Sequence, residues 1–194
     1  MLTYLMAFTL ELASAGWQPP VPVLKEAIHF LAGPRVRKKT GVRYAKLVAK
    51  EARRRGIHGF LFLAFIHVET ARKWDPKLHG ATNDFGLMQV HVAENGSDRF
   101  LDREEELYIP AVNIREWGRL ADMWRAHHQR SCGTRHPWWA HLKWGYRVKD
   151  VEHAMKVLRV FRTLMDRFGP RESVAWAPAS VAWREVPHLV RLGF

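Results

Sequence analysis

The stretch Phe60-Leu-Phe-Leu-Ala-Phe-Ile66-His67-Val68-Glu69-Thr70-Ala71-Arg72-Lys73 decides the fold. Periodicity alone leaves its apolar half open between a buried strand and a buried helix. Good helix formers follow, and no turn residue occurs before Asp75-Pro76, so the pattern predicts a helix. Apolar all round, such a helix belongs at the centre of the molecule. Glu69 then falls near its C-terminal end, where the macrodipole disfavours a further negative charge.

The flanking segments read as helices that would pack around it. Upstream, Tyr44, Leu47, Val48 and Ala52 recur at helical spacing between Val42 and Arg55, and Gly56 is a stop. Further upstream, Gln18-Pro-Pro-Val-Pro22 reads as a stiff linker and Arg35-Val-Arg-Lys-Lys39 as a solvated basic loop. Downstream, residues 79–86 are rich in turn formers, and Arg99 to Glu106 is a charged connector. Pro110 to Arg125 and Val151 to Phe168 carry apolar stripes of 3.6 period, the second ended by Gly169-Pro170. With no strand alternation in view, the chain is expected to be mainly α.

At 194 residues, 47% hydrophobic and 26% charged, the chain has the composition of one folded domain with appendages. Its formal net charge of +12 attracts polyanions, whether nucleic acid, anionic lipid or the acidic polymers of a cell wall. One cysteine, Cys132, excludes an intrachain disulfide and a zinc site of paired thiolates. The apolar segment Met1 to Leu10, followed by Ala13-Ser14-Ala15, reads either as a signal peptide or as an N-terminal helix, and is too short to span a bilayer.

Glu69 is the residue with chemistry to offer. A carboxyl at the end of an apolar helix, if buried without a cation, keeps its proton toward neutrality and can serve as a general acid. The competing reading is a surface ion pair with Arg72 or Lys73. Three segments in order bear on that choice: Glu69-Thr70, then Gly86-Leu87-Met88-Gln89, then Leu107-Tyr-Ile-Pro-Ala-Val-Asn113-Ile114 at a helix start. Together they resemble the soluble lytic transglycosylase family, related in fold to goose-type lysozymes. The loop Asn83-Asp84-Phe85-Gly-Leu-Met-Gln89 is most similar to the small transglycosylases associated with secretion systems. The resemblance covers roughly Val42 to Phe168.

The resemblance implies a lysozyme-like helical domain with a substrate groove over residues 42–168. Residues 1–15 would be a signal peptide or helix, 16–41 a linker and basic segment, and 169–194 a tail with the repeated Ser-Val-Ala-Trp of 173–176 and 180–183. It implies Glu69 as the sole catalytic acid/base, with Thr70, Gly86, Leu87, Met88, Gln89, Asn113 and Tyr146 on the substrate side. The partner would be the glycan strands of peptidoglycan, in a periplasmic or secreted setting, with a secretion system or phage as the wider assembly and no specific nucleic acid. The family mechanism uses no cofactor or metal. Glu69 would protonate the oxygen between N-acetylmuramic acid and N-acetylglucosamine, then take the proton of the muramoyl C6 hydroxyl as a 1,6-anhydro ring closes. A hydrolytic muramidase would ordinarily use a second carboxylate, for which Asp84 and Asp98 are the candidates; a non-catalytic glycan-binding module is the other alternative.

Two positions depart from the family pattern. Leu142-Lys-Trp-Gly145 stands where a Tyr-Asn-x-Gly segment is usual, leaving Trp144 or Tyr146 to cover the tyrosine's space. Trp117 occupies the place of a glycine after Asn-Ile, with Gly118 one position late, which implies altered helix packing. His127, His128, Cys132 and His136 match no familiar zinc spacing. Trp138, Trp139 and Trp144 suit a core or a sugar-stacking surface equally.

Overall fold

The computed structural model describes residues 17–93, 99–131 and 148–170, without the side chains of 127–131 and 148–151. The N-terminal segment 1–15, Asp98, the His-, Cys- and Trp-bearing stretch with Leu142 and Tyr146, and the tail repeat lie outside the described residues.

Helix α1 (Val21–Ala32) leads into a 3-10 turn (Gly33–Arg35), then α2 (Lys38–Arg55) and α3 (Gly59–Glu69). A two-stranded antiparallel hairpin, β1 (Asp84–Phe85) with β2 (Val90–His91), is followed by a 3-10 turn (Glu104–Tyr108), α4 (Pro110–Ser131) and α5 (Val148–Phe168). In the hairpin Asp84 faces His91 and Phe85 faces Val90. The described chain is thus mainly helical, and no described helix is long and apolar enough to cross a membrane.

The apolar stretch is a helix, and every residue from Gly59 to Ile66 is buried. Burial of Phe60, Phe62, Leu63, Phe65 and Ile66 stabilises the fold by about 1.5–3 kcal/mol per side chain. The other helices form its wall. Tyr44, Ala45, Val48, Ala49 and Ala52 of α2 are buried, as are Ile114, Trp117 and Ala121 of α4 and Val157, Phe161, Leu164 and Met165 of α5. Gly56 ends α2 as expected, in the left-handed region with its N–H on Ala52 O.

The stretch 16–41 contains a helix in place of the expected linker. Val21, following Pro20 and preceding Pro22, opens α1, and Leu24, Ala27, Ile28 and Ala32 are fully buried. Prolines that look like linker stiffeners are here helix starters, because the first helical positions have no N–H bond to lose. Gln18 even caps the central helix: its Oε1 accepts from Gly59 N at 3.2 Å, and His58 Nδ1 accepts from Phe60 N at 3.2 Å. Lys38 and Lys39 likewise begin α2 rather than remaining in a loop.

Trp117 fills space between the central helix and α4, its ring 4.7 Å from that of Phe62 and 4.8 Å from that of Phe65. Gly118 beside it lets Arg55 pass, since a Cβ there would collide with the Arg55 side chain. Arg55 donates to Glu51 Oε2 at 3.1 Å, to Asp122 and to Arg115 O, tying α2 to α4. Trp117 and Gly118 together thus supply an aromatic wedge against α3 and a passage for the Arg55 side chain.

Candidate active site

Glu69 is the last residue of α3, and the chain leaves the helix by a strained turn. Ala71, Arg72 and Trp74 have φ values of 46°, 69° and 58°, each a left-handed conformation that costs a non-glycine residue about 1 kcal/mol or more. Several bonds hold them there. Thr70, fully buried, donates its hydroxyl to Ile66 O at 2.7 Å and accepts from Trp74 N at 3.1 Å. Arg72 N donates to His67 O at 2.9 Å, and the buried Trp74 directs its indole N–H to His67 Nδ1 at 3.4 Å. Burial, reinforced by the positive charges of Arg72 and Arg35, lowers the His67 pKa to about 4, so this acceptor is neutral at pH 7.

The turn fixes the end of α3, and α5 supplies a partner. His153 Nε2 lies 3.0 Å from Glu69 Oε1, with side chains only 19% and 6% exposed. The imidazole is at ion-pair distance without the alignment of a full hydrogen bond. His153 thus lies against one carboxyl oxygen of Glu69 although it is 84 positions away in sequence, while Arg72 and Lys73, the partners weighed from sequence, are exposed. A signal for it was present: His153 precedes Val157 and Leu164 by four and eleven residues, in register with the buried stripe of its helix. A lone polar residue in an apolar stripe calls for a polar partner.

Gly86 to Gln89 form a second group around the hairpin turn. Gly86 has φ 75°, and a Cβ would strike Leu107 O and come within 2.6 Å of Asn113 Nδ2, so only glycine fits. Asn113, fully buried in the first turn of α4, accepts from Met88 N at 2.8 Å and donates to Phe85 O at 2.7 Å. This amide clamps the turn to the helix, a role no spacing argument distinguishes from capping. Leu87 and Met88 are buried whole, backbone included, and so belong to the core beneath the turn and not to a ligand-facing surface. Gln89, at φ 45°, donates to Leu78 O at 3.2 Å and Gly86 O at 2.8 Å, which commits its amide N–H groups to the turn. Asp84 is engaged by the Thr82 hydroxyl at 2.6 Å and lies 3.3 Å from His91 Nδ1.

The chain matches no family model, no curated protein and no solved structure. The sequence-predicted residues fall into two groups: Glu69 and Thr70 at the end of α3, now with His153, and Gly86 to Gln89 with Asn113 at the base of the hairpin. Chemically, the first offers a shielded, braced carboxyl on a rigid support; the second offers a backbone turn locked by a buried amide.

Proposed function

We propose that the protein cleaves the β-1,4 bond between N-acetylmuramic acid and N-acetylglucosamine of peptidoglycan, with a lysozyme-like fold and a groove that brings the glycan to Glu69. The observation that carries this reading is the placement of Glu69: its side chain is 6% exposed, at the terminus of the central helix, braced by His153 and followed by a turn held in strained geometry. The family resemblance in three ordered segments supports the same residue.

In this mechanism one carboxyl suffices. Protonated Glu69 donates to the leaving glycosidic oxygen; as carboxylate it then removes the proton of the muramoyl C6 hydroxyl, whose oxygen attacks C1 and closes the anhydro ring. Protons balance over the cycle, and no water is consumed. Asp84, the described one of the two carboxylates weighed for that role, already serves Thr82 and His91, which favours the one-carboxylate route over hydrolysis. Purified protein incubated with sacculi is expected to release muropeptides lighter by one water than their reducing counterparts. Reducing ends alone would mean hydrolysis, and no release would reject the assignment.

A further inference from the structure

Helix α2 presents one kind of residue to solvent. Every exposed position between Lys38 and Arg55 is Lys or Arg, and the helix's one acidic residue, Glu51, is on the buried side. Lys39, Arg43, Lys46, Lys50 and Arg53 follow one another at steps of four, three, four and three. That spacing lines them along one face for about 21 Å, with neighbours about 5–6 Å apart. Among the described residues none of Lys39, Arg43, Lys46 and Lys50 has an acidic partner. Tyr44, next to Arg43 but on the buried side of α2, feels the charge of Asp75, which follows the turn after Glu69.

We propose that the solvent face of α2 is a track for the carboxylates of the peptide side chains borne by wall glycan, so that the preferred substrate is the peptide-bearing strand and not the bare one. This rests on the glycan-cleaving reading of Glu69. A row of mobile ammonium and guanidinium groups suits carboxylates repeated along a polymer. No exposed apolar residue of α2 accompanies the cations to enter a lipid surface, and no exposed aromatic residue of α2 offers a stacking platform for bases.

The test uses the full chain and measures pelleting with intact sacculi and with sacculi stripped of their peptides by an amidase. Wild type is expected to bind the intact form about tenfold more tightly at low salt, with the preference lost near 0.5 M salt, where screening is about 4 Å. The Lys39→Glu/Arg43→Glu/Lys46→Glu/Lys50→Glu variant is expected to bind both forms alike; the same four changes to Gln serve if charge reversal prevents folding. Equal binding of both forms by wild type, or an unaltered preference in the Gln variant, overturns the track. Tighter binding to duplex DNA than to sacculi at the same salt overturns it in favour of nucleic acid. Cleavage is followed in parallel: wild type that cuts sacculi without preferring peptide-bearing strands refutes the track alone, whereas preference without cutting refutes the catalytic reading and leaves the surface standing.

Discussion

Replacing Asn113 by alanine should loosen the hairpin turn without touching Glu69. The substitution removes the acceptor of Met88 N–H, at 2.8 Å, and the donor to Phe85 O, at 2.7 Å, both in a buried setting. Each orphaned backbone group costs about 1–3 kcal/mol, so the two together cost about 2–6 kcal/mol, to which the small cavity adds. For a chain of this size that is a melting temperature lower by roughly 10 °C. Urea unfolding followed by circular dichroism gives the free energy directly, with the slope expected to match wild type. Asn113→Asp refines the test: it keeps the volume and the acceptor for Met88 but sets an oxygen against the Phe85 carbonyl. At neutral pH it should be at least as destabilising as alanine, and acid should restore part of the loss as the carboxyl gains a proton to donate. A cost below about 0.5 kcal/mol for Asn113→Ala, the range of an ordinary surface change, would refute the clamp.

Three further outcomes are expected. Gly86→Ala combines a φ of 75° with a collision against Leu107 O and Asn113, and should destabilise by about 3 kcal/mol in the same unfolding assay. Burial lowers the pKa of His58 to about 4, so the unfolded chain binds a proton that the native state resists between pH 6.5 and 4. The native state should therefore lose stability as pH falls through that window, on the order of 3 kcal/mol for His58, and His58→Gln should remove about half of the slope, His67, also held at about 4, keeping the rest. His153→Ala should reduce sacculus cleavage by about 100-fold and alter its pH profile while the melting temperature shifts little; an unchanged rate and profile would leave His153 a packing residue.

The central helix was legible because an all-round apolar run bounded by His58 and Thr70 admits only a core position. Helix α5 was legible from its stripe, from Val151 to Phe168. Helix α1 was not, since Pro20 and Pro22 read as linker until Leu24 and Ile28 are seen packed in the core. The hairpin escaped because strands of two residues have no alternation to detect. In the site, Glu69 could be singled out from its surroundings, whereas Gly86 was marked only by its place in the family-like segment, its left-handed turn being visible in the structure alone. The contact of His153 with Glu69 joins residues brought together only by packing of α3 on α5, and the local bonding of Gln89 depends on a backbone geometry no spacing encodes.

The most direct test of Glu69 as the acid/base is release of anhydro-muropeptides from sacculi by wild type and by Glu69→Gln, measured by mass spectrometry at matched folded concentration. The expected result is anhydro products from wild type and a loss of about 10²–10⁴-fold in the variant, with its melting temperature maintained. Equal release by the two proteins would contradict the assignment.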